Sequence, residues 1–208
     1  GNLVANMQQV HNCLQQAGDD GQPLMREGGE IMIAPLPLYH IFALTANCMT
    51  FTALGGLNVL IPNPRDIPGF VKELGKWRFT AMTGVNTLFN ALLNHPEFAK
   101  LDFSALKVTL GGGMAVQEAV AKRWKQVTGK PLLEAYGLTE ASPAVTINPM
   151  TLHEYNHSIG LPLPSTEISI RSDAGAELPV GAEGELCVRG PQVMKEYWNR
   201  PDETAKVF

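Results

Sequence analysis

A chain of 208 residues is long enough for one large domain, or for one domain with part of a second. With 45% apolar and 17% charged residues it can bury a core, which excludes an extensively disordered chain. A net charge of -4 and no run of basic residues exclude a general nucleic-acid footprint or a polybasic membrane patch.

Leu3, Met7, Val10 and Leu14 recur at spacings of four and three, which predicts a helix closed by Gly18. The polar stretch from Asp19 to Glu30 reads as a loop, and Ile31 to Ala34 before Pro35 as a buried strand. A helix over Ile41 to Leu54 follows, ended by Gly55-Gly56, and Asn58 to Ile61 reads as the next strand. Ile67, Phe70, Val71 and Leu74 form one helix face, Phe79 to Met82 a strand, and Thr87 to Asn94 a helix stopped at His95-Pro96. A strand over Lys107 to Leu110, a helix over Val116 to Val127 and a strand over Pro131 to Ala135 complete the alternation. Strands and helices at this spacing imply βαβ units, hence an α/β fold with a mostly parallel sheet flanked by helices on both faces.

After about Asn148 the rhythm changes. Residues 159–164 read as a Gly/Pro loop, and Thr166 to Arg171 and Gly184 to Gly190 alternate about a turn at Ser172 to Gly175. Short strands without intervening helices predict an antiparallel, barrel-like β subdomain. The expected division is 1–150 for the α/β part and 151–208 for the β-rich part.

Cys13, Cys48 and Cys187 lie far apart, with no CxxC and no His at ligand spacing, which argues against a disulfide framework or a zinc site and fits a reducing cytoplasm. The longest apolar stretch, Ile41 to Leu57, is interrupted by Thr45, Asn47, Thr50, Thr52 and Gly55-Gly56. It falls short of the roughly 20 apolar residues that span a bilayer, and a buried helix is expected there. His153 and His157, four apart, lie in a stretch flanked by Pro149 and Gly160 that favours a loop over a metal-binding helix.

Three segments carry chemistry. Tyr136-Gly137-Leu138-Thr139-Glu140 follows a predicted strand, and ligands of open parallel sheets bind beyond the carboxyl ends of the strands. Its parts suit a nucleotide: an aromatic face in Tyr136, a glycine for close approach, a hydroxyl in Thr139 for phosphate and a carboxylate in Glu140 for Mg²⁺. A plain strand-to-loop turn is the alternative. Gly111-Gly112-Gly113 lies between a strand and a helix, where a flat ligand could rest on backbone, although a tight turn explains it equally. Pro35-Leu36-Pro37-Leu38-Tyr39-His40 leads into the apolar helix, and its His could meet a carboxylate head group or serve structure alone.

In order, PLPLYH (35–40), GGG (111–113), YGLTE (136–140), SIGLP (158–162) and GELCVRGPQVMKEYW (184–198) resemble the adenylate-forming acyl-CoA synthetase superfamily. Residues 34–40, 63–77, 83–93 and 101–107 look most like bacterial long-chain-fatty-acid–CoA ligases, and the resemblance runs over essentially the whole chain. It implies part of the large N-terminal domain of an enzyme that joins a fatty acid to coenzyme A through an acyl-adenylate, with ATP consumed to AMP and diphosphate. By resemblance, Gly111, Gly112, Gly113, Glu134, Ala135, Tyr136 and Gly137 frame the adenine, Thr139 contacts phosphate, Glu140 holds Mg²⁺ and His40 sits near the acyl carboxylate. Gly84, Val85 and Asn86 line the acyl side. The partners implied are fatty acid, ATP and coenzyme A, without nucleic acid. Peripheral contact with the inner membrane is compatible with such a substrate, and a homo-oligomer is left open.

The family's Ser/Thr/Gly-rich phosphate loop, its Thr-Gly-Asp and its C-terminal domain with a catalytic Lys are not in this stretch. The chain is therefore expected to be an internal piece that does not turn over by itself. An aryl or medium-chain acid ligase and a non-catalytic nucleotide- or acyl-binding module stand as alternatives.

Overall fold

The computed structural model describes residues 1–18 and 20–208; Asp19, the first residue of the expected 19–30 loop, lies outside the described residues. Five parallel strands form the body of the fold: β1 (Ile31–Ala34), β2 (Leu57–Leu60), β3 (Ala81–Gly84), β4 (Val108–Gly111) and β5 (Leu132–Gly137). β6 (Ala144–Ile147) and β7 (Leu161–Pro162) continue the sheet antiparallel, giving the order β2-β1-β3-β4-β5-β6-β7.

Successive strand side chains point to opposite faces, so β1, β3 and β5 each feed two cores. Ile33, Met82 and Leu132 face one core, with Phe70, Phe89, Phe98 and Trp124, beneath α3 (Ile67–Leu74), α4 (Asn86–Leu93) and α5 (Glu118–Thr128). Met32, Ala81, Leu110 and Leu133 face the other, beneath α1 (Asn2–Leu14) and the helix that follows β1. Trp124 is fully buried, and its ring meets Phe89 edge-on at 4.9 Å.

Beyond shifts of one or two residues at other element ends, three differences bear on packing. The buried face of α1 is Asn6, Gln9, Val10, Cys13 and Leu14, while Leu3 is 38% exposed. Two amides go inside because each finds distant partners. Asn6 pairs with both backbone groups of Ala144, at 2.8 and 3.0 Å, and Gln9 donates to the Pro164 carbonyl at 2.6 Å. The expected helix over 41–54 is present, but Ala43–Met49 winds as a π-helix before α2 (Thr50–Ala53). Its fully buried polar side chains bond across or along the helix: Thr45 to the Ser142 carbonyl, Asn47 to the Thr83 hydroxyl and Thr50 back to the Thr45 carbonyl. β3 begins two residues later than expected. Thr80 precedes it, its amide donating to the Ile31 carbonyl and its hydroxyl accepting the Ile31 amide.

Beyond residue 150, β7 falls within the expected 159–164 loop and joins the main sheet, and a separate two-stranded antiparallel sheet of β8 (Glu167–Arg171) and β9 (Glu185–Arg189) follows, then α6 (Pro201–Val207). The proposed division near residue 150 falls inside the β6–β7 pair of the main sheet. Among the described residues, neither apolar core includes a residue of β8 or β9. The joint is made instead by fully buried Gln192, which accepts from Gln9 and donates to the Thr166 hydroxyl at 2.7 Å, and by Asn2, which donates to the Pro191 and Val193 carbonyls.

Candidate active site

At the carboxyl ends of β4 and β5, the parallel sheet opens into a pocket of about 180 Å³. His40, Gly112, Gly113, Tyr136, Gly137 and Thr139 line it, so all three chemistry-bearing segments of the sequence meet there. Its apolar wall is Val10, Ile41, Phe42, Ala46, Leu110 and Ile147. Val10, Ala46, Leu110 and Ile147 also border a small apolar void of about 20 Å³ beneath the π-helix, which extends the wall toward Phe51 and Met82.

Each part is placed by a local device. The Phe42 amide donates to His40 Nδ1 at 3.2 Å. With Nδ1 taken by the backbone, Nε2 is the ring nitrogen left to meet a ligand oxygen. Gly113 has φ +75, which favours glycine, and a Cβ on Gly112 would lie 3.1 Å from the Phe42 ring. Here the triple glycine lets backbone form the pocket wall. Tyr136 is 37% exposed at the rim. A short 3₁₀ turn, Thr139–Ala141, follows β5 and presents Thr139 to the pocket.

Other predicted residues stand behind this surface. Glu134 is buried and does not line the pocket; its Oε1 accepts the Val116 amide at 3.0 Å, bracing the chain just past the triple glycine. Tyr155 reaches the same place, donating to the Val116 carbonyl at 2.8 Å, and burial followed by the Glu134 charge raises its phenol above the usual range. Gly84, Val85 and Asn86 lie at the end of β3, alongside Gly111 and outside the pocket lining. Asn86 is buried and accepts the Gln117 amide at 2.9 Å ahead of α5, while Gly111 is buried against Val116. Glu140 lies just beyond Thr139, half-buried, with Oε1 accepting the Tyr197 hydroxyl at 2.6 Å. That bond is the first cause of a raised Tyr197 phenol.

Sequence reasoning missed Pro143, Ala144 and Ile147, because they arrive on or just before β6, an antiparallel strand that follows a turn of a few residues. The alternation Ala144-Val145-Thr146-Ile147 is its only local signal. Tyr197 had none, being 57 positions from its partner.

The family model for AMP-binding enzymes matches residues 1–198. The chain belongs to that family. Among curated relatives of this AMP-binding chain, the long-chain-fatty-acid–CoA ligase of Yersinia pestis is 59% identical over 199 residues, covering 96% of the chain and 35% of the relative. That of Escherichia coli is 56% identical over 207 residues, covering 100% of the chain and 36% of the relative. The chain therefore spans about a third of the length of these relatives. Among solved structures, ATP-bound MatB from Rhodopseudomonas palustris superposes with a TM-score of 0.84 at 25% identity, over 100% of this chain and 39% of that one.

Among the described residues, no three or more His, Cys, Asp or Glu gather into a metal cage. Thr139 and Glu140 offer adjacent hard oxygen donors, which suits Mg²⁺, an ion commonly held by one or two carboxylates together with substrate phosphates. Nor, among the described residues, is any helix long and apolar enough to cross a membrane.

Proposed function

We propose that this chain is part of an ATP-dependent long-chain-fatty-acid–CoA ligase. The observation that carries the reading is the gathering of His40, Gly112, Gly113, Tyr136 and Thr139 around one cleft with an apolar wall behind it. The substrate class is taken from relatives at 56–59% identity that bear that activity.

In this reading the fatty carboxylate attacks the α-phosphorus of ATP and diphosphate leaves, giving an acyl-adenylate. The thiol of coenzyme A then attacks the acyl carbonyl and AMP leaves, giving the thioester. The residues align reactants and answer charge. His40 donates from Nε2 to the carboxylate head, while the tail runs along Phe42, Ala46 and Leu110. Tyr136 stacks on the adenine against the backbone of Gly112 and Gly113, and Thr139 donates to phosphate. Glu134, Gly111 and residues 84–86 act one layer back, holding the triple-glycine turn and the start of α5. Glu140, with Thr139 beside it, would hold Mg²⁺, which supplies positive charge to neutralise the phosphates. The three free cysteines suit a reducing cytoplasm, and a fatty-acid substrate suits peripheral contact with the inner membrane.

The test uses the full reading frame, measuring fatty-acid-dependent diphosphate release with MgATP over a series of acyl chain lengths, with and without coenzyme A. Release that rises with long chains, and acyl-CoA formed only when coenzyme A is present, is the expected result. No release with any carboxylate would overturn the reading.

A further inference from the structure

The Glu140 carboxylate is held from one side. Its Oε1 accepts the Tyr197 hydroxyl at 2.6 Å, and its backbone carbonyl accepts the Met194 amide at 2.7 Å. The segment making these contacts is itself anchored at both ends. Asn2 donates to the Pro191 and Val193 carbonyls at 2.8 Å, and Gln192 is fully buried. Farther along, the Tyr197 amide donates to the Thr204 hydroxyl at 3.0 Å, and that hydroxyl donates to the Arg200 carbonyl at the head of α6. The phenol is therefore a fixed post rather than a wandering surface group.

A glutamate on a short turn has three side-chain torsions to lose before it can hold a cation in one place. Engaging Oε1 restricts that rotation, and Thr139, the preceding residue, lines the pocket. We propose that Tyr197 is a positioning residue: by holding Oε1 of Glu140, it aims Oε2 at the metal that accompanies the nucleotide phosphates. This rests on the reading of Glu140 as the Mg²⁺-holding carboxylate. Outer partners of metal-binding groups typically govern metal affinity by about 10- to 100-fold, and a single bond to one oxygen belongs at the lower end.

The experiment compares full-length wild type, Tyr197→Phe, Thr204→Val and Glu140→Ala. Calorimetry gives ATP affinity in saturating Mg²⁺ and in EDTA, and the ratio of the two is the metal's contribution. Tyr197→Phe keeps the ring and is expected to cut that ratio by about 10-fold with affinity in EDTA unchanged. Thr204→Val, which loosens the post without touching the phenol, shifts the ratio the same way by less. Glu140→Ala abolishes the Mg²⁺ advantage. A Tyr197→Phe ratio equal to wild type beside a lost advantage in Glu140→Ala would overturn the positioning role alone. A wild-type ratio in Glu140→Ala would overturn the metal role of Glu140, and this proposal with it.

Discussion

Asn6 is the side chain whose loss should be felt farthest from its own helix. It is fully buried, and it pairs with Ala144 as a neighbouring strand would, accepting from the amide at 3.0 Å and donating to the carbonyl at 2.8 Å. Asn6→Ala removes both partners. Each orphaned backbone group costs about 1–3 kcal/mol. Ala144 keeps some solvent contact, and its carbonyl retains a longer bond from Gln192 at 3.4 Å. The lower part of the range therefore applies, about 2–4 kcal/mol for the pair. At about 1.4 kcal/mol per tenfold, the Ala144 amide should exchange roughly 30- to 700-fold faster in the variant. Hydrogen exchange with mass spectrometry on peptides spanning residues 142–148 of the full-length protein reads this directly. Since Ala144 lines the pocket, diphosphate release should fall as well. Exchange within threefold of wild type would refute the pairing argument, because the amide would then owe its protection to something other than Asn6.

Lys107→Met strands the Glu30 carboxylate, whose side chain is fully buried, which accepts Lys107 at 2.6 Å and whose Oε2 has no partner among the described residues; a loss of about 3–5 kcal/mol is expected, read as a lower melting temperature. A shift within a degree would show that the backbone amide of Arg26, also at 2.6 Å, satisfies the charge alone. Ala46→Leu adds bulk at a wall shared by the pocket and the void beneath the π-helix, and should disfavour the longest acids by about 10- to 200-fold per methylene excluded. An unchanged chain-length profile would put the tail elsewhere. Burial raises the Tyr155 phenol above its unfolded value, so its contribution to stability is fully present below about pH 10 and lost as pH rises through the folded pKa. Tyr155→Phe should therefore flatten the alkaline fall in stability in pH-dependent melts, and an identical slope would contradict that.

The parallel body of the fold was legible because its signals are local. The strand at Ile31–Ala34, the breaker Gly55-Gly56 and the amphipathic faces of α3 and α4 each sit within one short window. The cleft was legible in part because its segments follow strands in sequence and so arrive together at one edge of the sheet. What escaped depends on partners far along the chain. The π-winding at Thr45 and Asn47 answers to Ser142 and Thr83, and no periodicity in residues 41–54 reports that. The buried face of α1 was misread because Asn6 and Gln9 look like surface residues until Ala144, Pro164 and Gln192 come into view. Glu134 likewise has a partner that no local pattern announces, the Val116 amide behind the cleft.

The seam between the main sheet and the β8–β9 pair is joined by amides rather than by oil. Apolar contact tolerates sliding, whereas a hydrogen bond weakens steeply once its donor turns off line. Such a seam behaves like a keyed coupling, exact in register when engaged and quick to release once water competes for the same groups. On warming, the β8–β9 pair should be the first part of the chain to let go, carrying Tyr197 with it. The carboxylate of Glu140 would lose its tether well before the parallel sheet feels the heat.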